Sequence, residues 1–483
     1  MFLTWVFWSL LLTLVERSLA GTAVVHAVLH RREVKATLGW VGLIWFTPLF
    51  GTVVYYAFGI NRLERRGCRW QRKLEAVLVE VRRRIPEGPR ERLQSMQRQH
   101  PKLRQLDDLV TRLTAAPLLA GNQVTPLLTG EEAFREMLQA IEQAQHTIAL
   151  QSYIFDYDRA GKLFIEALQA AFERGVQIRV LIDDVGSRYS RPTSVSVLQR
   201  LGIPCVTFLP TYNPASTIYS NLRNHRKLLI TDGHIAFTGG MNIREGLRAD
   251  WNPKHPIQDL HFKFTGPIVL QLQEVFSVDW CFATNEILAG EEWFPTPEPT
   301  GRIWCRSIPD GPDEDFEKLK LTILGALQLA ERQIYIITPY FLPDEAIIAA
   351  LNVAALRGLR VCILIPAVNN ILPVQWACQA MLPELIERGC EVFLTPPPFD
   401  HTKLFLVDGD WSLIGSTNWD PRSLRLNFEL NVECYGSDLN AELSSFAQAK
   451  LASSTRLTLQ DLQRRSFLTK LRDGVARLAS PYL

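Results

Sequence analysis

The sequence predicts an α/β protein in which two duplicated lobes, each a mixed sheet flanked by helices, follow an N-terminal pair of transmembrane helices. Three observations support this prediction. Two apolar stretches lie near the N-terminus, short apolar runs alternate with helical stretches from about residue 121 onward, and the same order of runs recurs about 180 residues later. A chain of 483 residues is long enough for several domains of this kind.

The second apolar stretch, 38–60, is the clearer membrane segment. It carries no ionisable side chain, and at about 1.5 Å per residue it can cross a hydrocarbon core of about 30 Å. Pro48 and Gly51 lie within it and predict a kink. We therefore expect a kinked transmembrane helix here.

The first apolar stretch is less regular. Glu16 and Arg17 interrupt it, and both are costly near the middle of a membrane. A cleaved signal peptide fits poorly, because no positive charge precedes the apolar run. We expect residues 1–60 to form a two-helix transmembrane hairpin with a tight basic turn at 31–35.

More basic residues follow the second stretch than lie in the turn. Those that follow it are Arg62, Arg65, Arg66, Arg69, Arg72 and Lys73. Positive charge favours the cytoplasmic side, so we expect a multi-pass protein whose large C-terminal part is cytoplasmic. Residues 61–116 are basic and polar. They predict a helical connector, either lying along anionic headgroups or simply solvated.

The overall charge bounds the function. The chain has 52 Lys and Arg against 50 Asp and Glu, a net charge of +2. A dedicated nucleic-acid binder usually carries a strong basic excess, so we expect no nucleic-acid partner. The eight cysteines show no CxxC spacing, which favours reduced, buried thiols over a disulfide scaffold or a metal site.

The two lobes are delimited by their repeated segments. TIALQSYIF at 147–155 parallels IYIITPYFL at 334–342, and RGVQIRVLI at 174–182 parallels RGLRVCILI at 357–365. We place the first lobe at 117–290, the second at 291–454 and a basic amphipathic tail at 455–483. That tail can lie on anionic lipid or pack on the second lobe.

One constellation of polar residues occurs once in each lobe, at matching positions. The first copy is His225, Lys227 and Asp232, and the second copy is His401, Lys403 and Asp408. Both follow the pattern H-x-K-x4-D and are followed by glycine. A lone histidine is usually structural, but two complete copies in register favour a shared catalytic site.

These residue types suit phosphoryl transfer. Because side chains alternate along a strand, the histidine and lysine of each copy share one face. One imidazole can attack phosphorus and form a phosphohistidine, while the other protonates the leaving alcohol and deprotonates the incoming one. The lysines can hold the nonbridging oxygens, so we expect neither a metal nor another cofactor.

Further candidates lie after each copy. The return strands at 235–240 and 412–417 end in small residues and then an asparagine, which suits phosphate binding; these candidates are Gly240, Asn242, Ser416 and Asn418. A nucleophilic histidine also needs an acceptor on its second nitrogen, and the candidates for that role are Asp259 and Glu429.

The two motif aspartates are a separate case. Asp232 and Asp408 stand at the turn into the return strand. There they can fix the geometry of the turn by hydrogen bonds or take part in proton transfer, and we count them among the candidate catalytic residues.

At these residues the chain resembles the phospholipase D superfamily, whose signature is a duplicated H-x-K-x4-D. Within it the chain is similar to bacterial cardiolipin synthases in GSTNWDPRS at 415–423, DLHFKFTGP at 259–267, SYIFDYD near Tyr153 and the ending RLASPYL. The motif regions are about 219–246 and 395–422. The resemblance implies a bilobal phospholipase D-like fold, a metal-independent phosphohistidine mechanism and a place in the bacterial inner membrane.

The resemblance also implies a reaction. One phosphatidylglycerol would give its phosphatidyl group to the enzyme and release glycerol, and a second would accept that group to form cardiolipin. The residues alone imply only phosphodiester transfer on a membrane lipid. A phospholipase D-type hydrolase and a phosphatidyltransferase that uses another alcohol stay open. Tyr153, Phe155, Tyr340 and Phe341 can shield the site from water or serve as core residues.

Overall fold

The computed structural model describes residues 2–30, 34–59, 79, 101–210, 222–312 and 317–480. The chain divides into two compact units, one comprising residues 1–68 with 210–221 and the other comprising the remainder. Most of the predicted turn at 31–35 and of the predicted connector before residue 101 lies outside the described residues.

The N-terminal unit is helical. Its elements are α1 (Phe2–His30), α2 (Val34–Phe46), α3 (Pro48–Val54) and a π-helical turn (Tyr55–Gly59). Within the described part of the chain, α1 is the one helix long and apolar enough to cross a membrane, over Thr4–His30. The predicted pair of full-length spans therefore exceeds what the structure contains.

The second apolar stretch reverses direction at Thr47 and Pro48. A Cβ atom on Gly51 would lie 2.6 Å from the carbonyl oxygen of Leu43. The ring centroids of Trp40 and Tyr55 lie 5.4 Å apart, whereas fifteen residues of straight helix would separate them by about 22 Å. The prediction of one kinked span over 38–60 was therefore wrong, because the segment folds back on itself. Proline begins the second arm where its missing N–H is tolerated.

Small residues let the three helices pack closely. Ala20, Ala23 and Ala27 on α1 are buried, and they share an apolar core with Trp40, Ile44 and Tyr55. The Tyr55 hydroxyl lies 2.8 Å from Nδ1 of His26. This use of alanine at a helix interface is typical of helices that pack within a membrane.

The second unit contains both predicted lobes. The first-lobe strands are β1 (Leu119–Leu127), β2 (Thr147–Ser152), β3 (Gln177–Asp183), β4 (Cys205–Phe208), β5 (Arg223–Asn224), β6 (Leu228–Thr231), β7 (Ile235–Gly239), β8 (Ile257–Gln258) and β9 (His261–Thr265). The helix preceding them is α4 (Pro101–Thr114), and the first-lobe helices are α5 (Gly130–Gln143), α6 (Arg159–Glu173), α7 (Ser194–Arg200) and α8 (Ile268–Thr284).

The second lobe repeats this order. Its strands are β10 (Ile303–Asp310), β11 (Gln333–Ile337), β12 (Arg360–Pro366), β13 (Glu391–Thr395), β14 (Phe399–Asp400), β15 (Leu404–Val407), β16 (Trp411–Gly415), β17 (Asn427–Tyr435) and β18 (Thr455–Leu457). Its helices are α9 (Lys318–Leu329), α10 (Glu345–Leu356), α11 (Leu372–Glu387), α12 (Ser437–Ser453), α13 (Leu459–Gln463) and α14 (Phe467–Leu478).

The strands form one continuous mixed sheet with the two lobes arranged symmetrically. The order is β4-β3-β2-β6-β7-β9-β1 in the first lobe and β10-β17-β16-β15-β11-β12-β13-β18 in the second. The repeated segments fall on β2 and β11 and on β3 and β12, at equivalent places, so the predicted duplication is confirmed. The expectation of two separate sheets was wrong, because β1 and β10 pair antiparallel and join them.

Each lobe has its own apolar core. Helix α4 belongs to the second of these, where Leu106 and Val110 are buried. Asp107 on the same helix lies 3.0 Å from the buried guanidinium of Arg306 on β10. The end of the predicted connector is therefore part of the second lobe.

The C-terminal helix α14 packs against α11. Asp473 is buried in this contact, and the guanidinium of Arg472 lies 4.4 Å from the ring centroid of Trp376. Of the two alternatives for the tail, packing on the second lobe is observed. The opposite, apolar face of the helix stays exposed. Residues 481–483 lie outside the described part.

Candidate active site

Each motif histidine is positioned by the opposite lobe. Strand β5, which leads into the first motif, pairs with β17, and β14, which leads into the second motif, pairs with β8. The backbone N–H of His225 donates to the carbonyl of Phe428 at 2.9 Å. The N–H of His401 donates to Gln258 at 2.7 Å. Both imidazoles are thereby placed in the cleft where the two lobes meet.

The first histidine is held by a second-lobe carboxylate. Nδ1 of His225 lies 3.0 Å from Oε2 of Glu429. That carboxylate is fully buried and accepts hydrogen bonds from the Ser416 hydroxyl at 2.5 Å and the Asn427 amide at 3.1 Å. With Nδ1 occupied, Nε2 is the ring nitrogen left to react.

The second histidine is held by a first-lobe carboxylate. Nδ1 of His401 lies 2.7 Å from Oδ2 of Asp259, which also accepts the N–H of Leu260 at 2.8 Å on Oδ1. The ammonium of Lys403 lies 2.9 and 3.2 Å from the two ring nitrogens of His401. The carboxylates predicted to orient the histidines thus lie beside them, each across the lobe boundary.

Burial dominates the protonation of this cluster. It lowers the pKa of His225 and of His401 to about 4. Burial also lowers the pKa of Lys227 to about 7 and that of Lys403 to about 8. Both histidines are therefore neutral at pH 7, which is the state a nucleophile or general base needs.

The two carboxylates respond in the opposite sense. Burial alone would raise their pKa, but the neighbouring cations outweigh it. Lys403 and His401 lower the pKa of Asp259, and His225 with Lys227 lowers that of Glu429. Both acids stay ionised beside the histidines that they orient.

A cavity of about 410 Å³ opens over the histidines. Its lining from the predicted site comprises His225, Asn242, Asp259, His401 and Asn418. The amide oxygen of Asn242 accepts the N–H of Ile154 at 3.1 Å, which leaves its amide nitrogen for a ligand. The size and the convergent polar groups suit a phosphodiester headgroup.

The motif lysines lie behind the imidazoles. Lys227 and Lys403 are buried and are not part of the cavity lining. Each ammonium donates to the backbone carbonyl of its own motif histidine at 2.5 Å. Direct contact between these lysines and a phosphate stays a prediction.

Two candidate phosphate-binding residues have other neighbours. A Cβ atom on Gly240 would lie 2.2 Å from Oδ1 of Asp259, and the Ser416 hydroxyl donates to Glu429. Their backbone N–H groups donate to carbonyls of adjacent strands. Placing Gly240 and Ser416 against phosphate was therefore wrong, because both support the orienting carboxylates.

The motif aspartates lie at the far end of β6 and β15, outside the cavity lining. The carboxylate of Asp232 accepts backbone N–H groups at 145–147, and that of Asp408 accepts those at 331–333. Both have left-handed backbone with φ of 51° and 57°. Counting Asp232 and Asp408 as catalytic was wrong, since they fix the turn geometry instead.

Several residues of the site were missed. Asp183 accepts the N–H of Asn224 at 2.8 Å and so holds the strand before His225. Arg223 and Arg422 line the cavity. Arg223 lies two residues before the first motif histidine, which is the signal that could have identified it. In the described part of the chain, no cluster of three or more His, Cys, Asp or Glu side chains could hold a metal.

Two family descriptions match the chain. Residues 137–280 and 323–450 match the family described as cardiolipin synthase, PLD-like domain. Residues 19–59 match the one described as phospholipase D-nuclease N-terminal. The first match covers more than half of the chain and includes both histidine motifs.

Curated relatives match over nearly the whole length. A cardiolipin synthase of Geobacillus kaustophilus is 32% identical over 460 residues, covering 94% of this chain and 90% of its own. Cardiolipin synthase A of Pseudomonas aeruginosa is 32% identical over 470 residues, covering 96% and 94%. Among solved structures, phosphatidylserine synthase of Haemophilus influenzae superposes with a TM-score of 0.61 at 15% identity, covering 78% of this chain and all of its own. That likeness bears on the fold.

Proposed function

This chain belongs to the cardiolipin synthase family with phospholipase D-like domains, and we propose that it transfers a phosphatidyl group from one phosphatidylglycerol to another. The products are cardiolipin and glycerol. The single observation that carries the proposal is the reciprocal pair of histidine–carboxylate contacts across one cavity. Two oriented imidazoles over one ligand site supply a nucleophile and an acid–base group together.

The first step makes a phosphohistidine. Nε2 of His225 attacks phosphorus, the phosphorus–oxygen bond to the leaving glycerol breaks, and His401 delivers a proton to that oxygen. We assign attack to His225 because its carboxylate is held by two further donors. The ring of His401 is instead contacted by Lys403, which competes for its nitrogen lone pairs.

The second step reverses these roles. The primary hydroxyl of a second phosphatidylglycerol gives its proton to His401, its oxygen bonds to phosphorus, and the phosphorus–nitrogen bond to His225 breaks. The amide of Asn242 faces the cavity and suits a nonbridging oxygen. Lys227 and Lys403 stabilise the developing charge from behind the imidazoles.

The cavity walls favour an alcohol over water. Tyr153 stacks edge-on against His225 with centroids 5.1 Å apart, and Tyr340 lies 6.2 Å from His401. Ile371 and Val374 line the same opening. An apolar and aromatic rim suits glycerol backbones and acyl chains.

Product analysis tests the proposal. Purified protein in phosphatidylglycerol vesicles should yield cardiolipin and glycerol in equal amounts, and neither product should form with His225→Ala. Phosphatidic acid as the main product would instead establish a hydrolase. Addition of other alcohols at rising concentration would reveal a different preferred acceptor.

We further propose that α1 crosses the membrane once while α2 and α3 enter and leave on one side. The hairpin at Thr47 and Pro48 returns the chain to the side from which it came. Basic residues of the turn at 31–35 and those after residue 60 then share a side, as the distribution of positive charge favours. The large C-terminal part is cytoplasmic in this topology, and the N-terminus lies outside.

Tag accessibility separates the two topologies. In spheroplasts, added protease should remove an N-terminal epitope tag and leave a C-terminal tag intact. A protected N-terminal tag would support two complete crossings and contradict the hairpin. A detergent-permeabilised sample, in which both tags are cleaved, is the matched control.

We also propose that α14 lies on anionic lipid with its exposed face. Phe467, Leu468 and Leu478 are each three quarters or more exposed, and Lys470 and Arg477 share the helix. Its packing partner α11 carries Val374 of the cavity wall near its start. Apolar residues beside basic ones are typical of helices at a membrane interface.

A local probe tests this contact. An environment-sensitive dye on Leu468→Cys should be quenched by nitroxide-labelled lipid in proteoliposomes. The same dye on Leu163→Cys, an exposed position of the first lobe, serves as the control. Equal quenching at both positions, or none at Leu468, would contradict the proposed contact.

A further inference from the structure

A pair of arginines from opposite lobes lies beside the histidine cluster and has no part in the chemistry described above. Arg223 precedes the first motif on β5, and Arg422 follows Asn418 in the second lobe; both line the cavity. Asn427 links them. It is the β-pairing partner of Arg223, and its N–H donates to the carbonyl of Arg422 at 3.0 Å.

The two positive charges act on one another and on the same part of the cavity. Burial is the main cause that lowers the pKa of Arg223, and the charge of Arg422 lowers it further, while Asp183 opposes both. The carboxylate of Asp183 already accepts three backbone N–H groups. Like charges gathered in a half-buried cavity are stabilised by an anionic ligand.

The third cavity arginine differs from this pair. Arg244 lies 3.2 Å from Asp156 and so carries its own counter-ion. Of the lining carboxylates, Asp259 is engaged with His401, and Asp420 accepts the N–H of Ser423 at 2.7 Å. Burial raises the pKa of Asp420 to about 6. The strongest uncommitted attraction for an anion is therefore on the side of Arg223 and Arg422.

We propose that Arg223 and Arg422 form a second phosphate subsite, which binds the phosphodiester of the lipid that accepts the phosphatidyl group. This inference rests on the proposed transfer between two phosphatidylglycerols, since only an acceptor of that kind brings a phosphate of its own. Guanidinium groups suit this task because their paired N–H donors match two phosphate oxygens.

The spacing fits the acceptor. Two residues of extended chain separate Arg223 from His225, a rise of about 7 Å. In the acceptor lipid, one glycerol unit separates the attacking hydroxyl from the phosphorus, which is a comparable length. A phosphate held by the arginine pair thus places the hydroxyl beside the phosphorus on His225. Water and free glycerol lack this anchor, so the subsite selects a lipid acceptor.

Two reactions measured in one sample test the subsite. Phosphatidylglycerol micelles are supplied with radiolabelled glycerol, and both cardiolipin formation and label incorporation into phosphatidylglycerol are followed. The second reaction uses the same donor step but an acceptor without phosphate. We expect Arg223→Gln and Arg422→Gln to lower cardiolipin formation on the order of 10- to 100-fold. Label incorporation should change less than about threefold.

The controls separate the subsite from the proposed function. Arg360→Gln removes a surface arginine that pairs with Glu391 and should alter neither reaction. Arg223→Lys and Arg422→Lys keep the charge but lose the paired donors, so cardiolipin formation should fall by less. Equal loss of both reactions, or no loss of cardiolipin formation, would overturn the subsite. Failure of wild-type protein to exchange glycerol would overturn the proposed function instead.

Discussion

The two halves of the active site follow one plan but support their histidines differently. Glu429, which orients His225, receives the hydroxyl of Ser416, whereas Asp259, which orients His401, lies against Gly240. Ser416 and Gly240 occupy the same place in the repeat. The longer carboxylate has a hydroxyl to hold it, and the shorter one needs the space of a missing side chain. The repeat thus preserves the geometry of each histidine while exchanging the residues that maintain it.

The residue between histidine and lysine shows the same divergence. In the first motif it is Arg226, which lies 2.7 Å from Asp279 on α8 and donates to the carbonyl of Glu429 at 2.9 Å. In the second motif it is Thr402, whose buried hydroxyl has no hydrogen-bond partner in the structure. The first half is therefore braced by a buried ion pair that the second half lacks at this position.

The largest expected effect is common to both halves. His225→Ala and His401→Ala should each lower cardiolipin formation by roughly 10³-fold or more, because each removes an essential nucleophile or acid–base group. Initial rates in vesicles measure this, with His234→Ala, a residue outside the cavity lining, as the control. Near wild-type activity in either cavity variant would contradict a two-histidine mechanism.

The residues between histidine and lysine should differ in stability. Arg226→Met leaves Asp279 buried without its ionic partner and should cost roughly 3–5 kcal/mol in free energy of unfolding. Thr402→Val replaces an unbonded hydroxyl with a methyl group and should change that free energy by less than about 0.5 kcal/mol. Thermal unfolding in detergent compares them. Similar melting temperatures for the two variants would show that the halves are braced alike.

Exchange of the small residues should also be asymmetric. Gly240→Ser places a Cβ atom against Asp259 and should lower kcat roughly 10²-fold by displacing His401. Ser416→Gly removes one hydrogen bond to Glu429 and should lower kcat on the order of 10-fold. Steady-state kinetics measures both. A harmless Gly240→Ser would contradict the described packing.

The smallest effect concerns pH. Since the pKa of Lys227 is lowered to about 7 and that of Lys403 to about 8, the ammonium charges are lost as pH rises. We expect kcat/KM to fall several-fold above pH 7 to 8, while protonation of the histidines matters only near pH 4. In Lys227→Arg the alkaline decline should move upward, and in Lys403→Arg it should stay. A profile that is flat to pH 9 would be the contrary result.

Much of this site could be predicted from sequence because it is repeated. Two copies of one spacing identified His225 and His401, and the asparagines and carboxylates followed at fixed places. Which carboxylate serves which histidine depends on strand pairing between lobes, and no local pattern encodes that. Gly240 and Ser416 were misassigned for the same reason, since small residues suit either a phosphate or a neighbouring side chain.

The membrane segment shows a different limit. Hydropathy counts apolar residues along the chain and treats 38–60 as one length of helix. The reversal at Thr47 and Pro48 depends on how Gly51 and Tyr55 meet the preceding turns. Proline marked the place of the break, but its angle follows from packing against α1 and α2.

Trapping the covalent intermediate tests most directly the claim that His225 attacks and His401 handles the proton. The substrate is a phosphatidyl ester of p-nitrophenol with a labelled acyl chain, whose leaving group needs no proton from the enzyme. His401→Ala should release about one nitrophenol per site in a burst and retain the label on the peptide containing His225, whereas His225→Ala should do neither. Label on the His401 peptide, or a burst from His225→Ala, would contradict the account.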